Sequence, residues 1–329
     1  MASEFDRLHH LQIDVPQRMK KDMCRNATHT PNMPCPARQA LFFALLLLLF
    51  FHSPALCADE ATDQAAATTD EAEWNQLEPG LAFREFQLND GDARLAVVRI
   101  DPTRFDFVLC SSSQDSLPAR PLGAWGEQYN LVAAINASMF LPDGSTSTGY
   151  MRQGAHINNP RIVQRFGAFF VAGPDDAGLP PAAIVDRDSP DWQKTIDHYT
   201  LVVQNYRMIN AERRVLWAPD GPIYSISAVA QDAEGRILFL HCREPVEAYF
   251  LARQMLLLPL NVRTVMYVEG GAQAGLLIRS ASLSRVMAGR WAADFLVTGN
   301  IKAAIPNVLG ARRKQQKNQP LQNSELLSE

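Results

Sequence analysis

The run Thr264-Val265-Met266-Tyr267-Val268 stops on the carboxylate of Glu269, and two glycines precede a second apolar run from Gly275 to Ile278. A short unbroken run of β-branched and apolar residues fits a buried strand, so the chain must carry sheet at its centre. Gly270 and Gly271 open backbone dihedrals closed to other residues and put no side chain in front of Glu269. The pattern predicts a carboxylate on the lip of a strand, with open backbone N–H groups beside it for a ligand. An ordinary strand–turn–strand with a solvated glutamate fits the same residues.

The design recurs upstream. Leu131-Val132-Ala133-Ala134-Ile135 ends on Asn136, with small Ala137 and Ser138 beyond it. Leu201-Val202-Val203 ends on Gln204-Asn205-Tyr206-Arg207. Asn136 reads either as a turn residue bonding its own backbone or as a group beside which a sugar has room. Between these runs, the polar stretch from Ser145 to His156, with Tyr150 and Arg152, has the content of a substrate loop or lid. Further strands are predicted at Arg94–Ile100, Phe105–Cys110, Phe166–Ala172 and 295–297. A hairpin is predicted from Tyr224–Ala230 and Arg236–His241 around Asp232-Ala233-Glu234-Gly235. Leu122–Tyr129 reads as a short helix. Glu244-Pro245 reads as the opening of a longer one that Pro259 stops. The predicted class is α/β in the mixed α+β sense: one domain, a twisted mixed sheet at its centre and helices packed outside.

Of the 329 residues, 47% are hydrophobic and 20% charged, with a net charge of -4, which suits a globular chain and argues against nucleic acid as partner. Arg38, the apolar run Ala40–Phe51 and the segment ending Leu56-Cys57-Ala58 have the three regions of a secretory signal. The apolar run is too short to span a bilayer comfortably. The expected organisation is an upstream disordered extension at 1–32, with Met33 as the natural start, then a signal peptide at 33–58. A flexible linker at 59–80 leads into the folded domain at 81–305, and a basic disordered tail follows at 306–329. The chain is then exported, to a periplasm or outside the cell, with no membrane span left after processing. Cys110 and Cys242 lie in apolar runs and read as two buried thiols. The seven histidines show no paired spacing with cysteine, so no metal site and no cofactor are expected, although the acidic groups leave room for a divalent ion.

The order of the pieces carries a resemblance. The Ala134-to-Phe140 block, the Gln204-to-Arg207 strand end, the hairpin, the helix and Tyr267-Val268-Glu269-Gly270-Gly271 recur in that sequence in the phosphodiester glycosidase family. The chain resembles that family over roughly Leu81 to Ile305. The resemblance implies hydrolysis of a sugar from a glycosyl phosphodiester, with Asn136 matching the family asparagine and Gly270-Gly271 its glycine pair. Glu269 stands where many members have aspartate. Departures follow: Ala272-Gln273-Ala274 replaces a further glycine and serines, and Pro222-Ile223 stands where a basic residue is common.

Such a reaction has a weakly basic phosphate ester as leaving group, so its demands are a carboxylate for an oxocarbenium-like centre and positive charge for the phosphate. Glu269, Asn136 and Arg207 are the expected catalytic residues, converging on one cleft with an ionised Glu269 held by arginines. Gly270, Gly271, Arg152, Gln204 and Ser138 are the expected substrate-binding groups, the substrate being a carbohydrate or sugar phosphodiester of an envelope or extracellular glycan. A non-catalytic glycan-binding protein on the same scaffold is the competing expectation. Export predicts that the protein recovered from its producing cell begins near Asp59, which N-terminal sequencing reads directly; a cytoplasmic chain beginning at Met1 contradicts it.

Overall fold

The computed structural model describes residues 73–89, 91–290 and 303–314. The extension, the signal segment and the strand expected at 295–297 lie outside the described residues. Strand β1 (Asn75–Glu78), β2 (Leu81–Gln87) and β3 (Arg94–Ile100) form a meander. β4 (Phe105–Ser111) and β5 (Ala133–Asn136) belong to another sheet. β6 (Met151–Gln153), β7 (His156–Asn159), β8 (Ala168–Pro174), β9 (Ala182–Asp186) and β10 (Tyr199–Asn205) make a further one. β11 (Arg207–Ile209), β12 (Ile223–Asp232), β13 (Ile237–Glu247) and β14 (Val262–Gly270) return to the meander. Finally β15 (Gly275–Arg279), β16 (Ser284–Ala288) and β17 (Asn307–Arg313) join β4 and β5.

The first sheet has seven strands in the order β1-β2-β3-β13-β12-β14-β11. The second runs β7-β6-β10-β8-β9 and the third β16-β15-β5-β17-β4. Every pairing among the described residues is antiparallel, so the expected mixed sheet is replaced by three antiparallel ones. Parallel neighbours need crossovers of a dozen residues or more, usually helical. The longest described helix, Ala248–Leu257, has only 10 residues.

Period-two alternation decides how the sheets stack. Along β3, Ala96, Val98 and Ile100 face one core, while Leu95 and Val97 face another. The first of these cores is shared by all three sheets, whose inner faces meet there. Phe107 of the third sheet contacts Phe170 of the second edge-on at 5.4 Å and Phe239 of the first at 6.0 Å. Among the described residues, each outer face carries one helix. Ala248–Leu257 covers the first sheet, Trp192–Asp197 the second and Leu122–Gln128 the third.

Three expected boundaries move. Residues 75–78, expected within the linker, pair with β2, and Trp74 is buried beside Phe86. Residues 307–313, expected within the disordered tail, form β17 between β4 and β5, because Val308, Leu309 and Ala311 bury against their neighbours while Arg312 and Arg313 stay outside. Pro245 does not open a helix. It lies in β13 beyond Cys242, where pairing with β3 has ended and the β12 register slips. A missing N–H costs little at such a bulge. Cys110 and Cys242 are both buried, and burial pushes the Cys110 thiol up to about 12.

Because Phe107 touches an aromatic ring of each other sheet, Phe107→Ala is expected to cost about 3–5 kcal/mol, the range for emptying a buried phenylalanine site. Urea denaturation measures it; a loss under 1 kcal/mol would mean that the sheets are held together elsewhere.

Candidate active site

β14 carries Glu269 at its end, with Ser227 of β12 directly opposite and His241 of β13 opposite Ser227. A buried polar row thus crosses three adjacent strands where the apolar alternation of the inner core stops. The Ser227 hydroxyl and His241 Nδ1 are 3.0 Å apart, and Ser227 also reaches the Gly275 carbonyl at 3.4 Å. His241 Nε2 is buried without a hydrogen-bond partner. Burial, then the charge of Arg243, lowers the His241 pKa to about 3, so the ring is neutral.

Glu269 is only 6% exposed, and among the described residues its carboxyl accepts one hydrogen bond, from the adjacent Gly270 N–H at 3.0 Å. Desolvation pushes its carboxyl up to about 8, with the Gly270 bond pulling the other way. The side chain therefore holds a proton at neutral pH, contrary to the ionised carboxylate expected beside arginines. The two glycines serve different needs. Gly271 has φ +71°, a left-handed conformation that strains other residues. Gly270 is extended, but a Cβ there would sit 2.3 Å from the Tyr267 hydroxyl and 2.8 Å from the Tyr224 ring.

Those two rings belong to a group of aromatic side chains packed on the outer face of the first sheet. The Tyr224 and Tyr267 rings meet edge-on at 6.5 Å. Burial pushes Tyr224 up to about 12. Tyr267 packs 5.4 Å from Trp217, Trp217 lies 5.9 Å from Tyr206, and Tyr206 stands edge-on to Phe166 at 4.4 Å. Arg165 lies over both Tyr206 and Phe166, at 5.7 and 5.5 Å from the ring centres. Strand alternation had placed these tyrosines only as sheet residues. Tyr206 and Tyr267 stand within three residues of strand ends marked by a polar group, and Tyr224 stands at the start of β12.

The other expected residues are occupied in holding backbone. The Asn136 amide donates to Gln273 O at 2.9 Å, and its carbonyl accepts from Gly275 N at 2.8 Å, so both ends grip the 3₁₀ turn Gly271–Gln273 that follows Glu269. Asn136 and the Glu269 strand end are thus brought together, with Asn136 as a clamp. The Gln204 amide accepts from Tyr150 N and Val163 N and donates to Val163 O and Phe166 O, which uses all four of its bonds. Ser138 donates to Ser147 at 2.9 Å inside the folded loop. Asn158, Asn159 and Asn307 bond that loop's backbone, so it is pinned down. Arg152 donates to the carbonyls of Ile196 and Tyr199. Arg207 binds Asp186 and, at 2.8 Å, Asp188, and its side chain packs on Gly167. Neither arginine is offered to Glu269, whose titration is governed by burial. Among the described residues, no group of three or more His, Cys, Asp or Glu side chains is placed to hold a metal ion.

Linkage gives the two buried titratable groups opposite effects on stability. Folded Glu269 keeps its proton to about pH 8, whereas an unperturbed carboxyl releases it near 4.5; its contribution is complete below pH 4.5 and is lost as pH rises to about 8. Folded His241 stays neutral down to about pH 3, whereas a free imidazole titrates near 6.5; its contribution is complete above pH 6.5 and is lost on acidification. The melting temperature of Glu269→Gln should therefore exceed that of the native chain by a margin that opens above pH 4.5 and stops growing near pH 8. A margin independent of pH would show the carboxyl to be ionised in the fold.

Residues 129–312 match the phosphodiester glycosidase family. No curated protein matches the chain. Among solved structures, the chain is similar to the catalytic domain of zebrafish N-acetylglucosamine-1-phosphodiester alpha-N-acetylglucosaminidase, auto-inhibited by its pro-peptide. Identity is 12%, over 73% of this chain and 86% of that one, with a TM-score of 0.49. A hypothetical protein from Synechocystis is likewise 12% identical, over 71% of this chain and 62% of that one, with a TM-score of 0.49. With more than half of its length matched, from just after the helix Leu122–Gln128 into β17, the chain belongs to the phosphodiester glycosidase family.

Proposed function

We propose that the chain hydrolyses a sugar from a glycosyl phosphodiester, with Glu269 as the proton donor. The observation that carries this reading is the buried carboxyl of Glu269, kept protonated to about pH 8 at the position where the resemblance places the family's acid. A phosphodiester is an anion, and an ionised carboxylate would repel it. A neutral carboxylic acid instead donates a hydrogen bond to the bridging oxygen and then the proton itself.

In that step the bond between the anomeric carbon and the bridging oxygen breaks. The proton of Glu269 goes to the departing phosphate monoester, and water bonds to the anomeric carbon. The proton lost by water restores Glu269. Asn136 acts through the turn it clamps, keeping Gly270 and its N–H against the carboxyl. We further propose, from the signal-like segment at 33–58, that the protein acts outside the cytoplasm on an envelope or extracellular glycan.

The competing reading is a glycan-binding protein that does not cleave. The engagement of Arg152, Gln204 and Arg207 in backbone and acid contacts favours it, since these groups are not free to receive substrate. Turnover of a chromogenic sugar phosphodiester separates the two. The hydrolase reading expects kcat to fall above about pH 8 as Glu269 ionises, and Glu269→Gln to lower kcat by roughly 10²–10⁴ with binding retained. Binding without turnover by the native chain at any pH would establish the non-catalytic protein.

A further inference from the structure

We infer that Arg94, Arg243 and Arg290 form the site that holds a phosphate of the ligand, at the end of the first sheet that carries Gly270. The inference rests on the sugar phosphodiester proposed above as ligand, and it stands whether that ligand is cleaved or only held. It supplies the positive charge that Arg152 and Arg207, tied to carbonyls and aspartates, do not offer.

The three arginines come from three strand ends and are joined through Ser225 and Glu244. Ile226 of β12 pairs with Cys242 and Tyr224 with Val246, so Arg243, Glu244 and Pro245 all stand opposite Ser225 alone. A bulge of this kind re-aims side chains and is over-represented beside active sites. The Ser225 hydroxyl reaches the carbonyls of Arg243 and Arg290 and accepts from Arg290 N at 2.7 Å. Arg94 opens β3 one residue before Leu95, the partner of Cys242, and so lies alongside Arg243. The Glu244 carboxylate accepts from Arg94 N at 3.3 Å and pairs with the Arg290 guanidinium at 3.5 Å.

This end of the sheet is also the acid's end. Ile226 pairs with Gly270, and a Cβ on Gly289 would sit 2.1 Å from Gly271 O and 2.7 Å from Ser225 Cβ. The chain entering Arg290 is therefore packed on the turn that follows Glu269. On β13, Cys242 and Val246 both face the outer core, so Arg243 shares the inner face with His241, two residues before it. His241 stands in the row with Ser227 and Glu269, and its Nε2 is buried without a hydrogen-bond partner.

Charge selects the ligand. Among the described residues, Glu244 is the one carboxylate bonded to the three arginines, which leaves an excess of two positive charges. The guanidinium groups of Arg94 and Arg243 make no hydrogen bond or ion pair among those residues, and Arg243 is half-buried. Withdrawing a charge from water without a counter-charge is costly, and an arriving anion offsets that cost. A phosphate fits best, because its oxygens match guanidinium forks bidentately.

The test is calorimetric titration of the full chain with a sugar 1-phosphate, its methyl phosphodiester and the methyl glycoside that lacks phosphate. The two phosphate ligands should bind more tightly than the neutral glycoside, by a margin that shrinks in high salt. Arg243→Gln should lower their affinity about tenfold, the size of a lost charge-assisted hydrogen bond. Arg94→Gln, at an exposed position, should lower it about threefold. Arg263→Gln, at the far end of β14, should leave it unchanged. Equal affinity in Arg243→Gln and the native chain, or an equal loss in Arg263→Gln, overturns the site. If Arg243→Gln fails to fold by circular dichroism, Arg94→Gln decides, and an unchanged affinity there overturns the site. Should none of the sugar ligands bind while pyrophosphate binds the native chain and not Arg243→Gln, the arginine site stands and the sugar ligand fails. If pyrophosphate does not bind either, the site falls too.

Discussion

The two hydrogen bonds of the Asn136 amide hold the point where the chain passes from its first sheet into its third. β14 ends at Gly270 and β15 begins at Gly275, so only four residues separate strands of different sheets. A turn that short leaves peptide groups in the interior, and buried peptide groups must find partners. Asn136 supplies one donor and one acceptor at that place, from a strand that pairs with β15 directly. The position of Glu269 follows from this grip. If the turn shifted, the carboxyl would lose both its depth and its one backbone partner.

Burial gives the site its chemistry. The inner core is apolar wherever the three sheets face one another, and the row His241–Ser227–Glu269 lies where that packing ends. Low polarity around the row has opposite effects on its two titratable members, since it disfavours the charged form of each. The carboxyl stays neutral because it keeps its proton, and the imidazole stays neutral because it refuses one. The result is an uncharged donor and an uncharged acceptor in a part of the molecule where a formal charge of either sign would be expensive.

Much of the sheet was legible because its signals are local. Arg94–Ile100 and Phe105–Ser111 alternate by twos, and the hairpin turn Asp232-Ala233-Glu234-Gly235 announces itself by its residue types. The end of β14 was equally visible, since an apolar run that stops on a carboxylate and two glycines ends a strand whether or not the glutamate is solvated. What could not be read was which polar strand end meets which backbone. Gln204 looked available for substrate until its four bonds were seen to reach loop atoms 38 to 54 residues away. Arg207 looked like a phosphate ligand because Asp186 and Asp188 belong to a Pro- and Asp-rich excursion with no period to place it. The basic end of β17 hid its strand because Arg312 and Arg313 dominate the composition while Val308, Leu309 and Ala311 do the packing. In each case the deciding partner is remote in sequence, and propensity carries no information about it.

One short passage of chain belongs to two sheets. β10 ends at Asn205 in the second sheet and β11 begins at Arg207 in the first, with Tyr206 alone between them. The Tyr206 carbonyl accepts from Tyr267 N, and the Asn205 amide reaches Val268 O, so the crossing is stitched to β14 just ahead of Glu269. The edge of one sheet is thereby a continuation of the middle of another. A fluctuation that opened β10 would pull on β11 through one residue and so on the acid-bearing strand. Among the described residues, the second sheet is thus tied to the acid-bearing strand through one residue and two hydrogen bonds, so local opening of one is felt by the other.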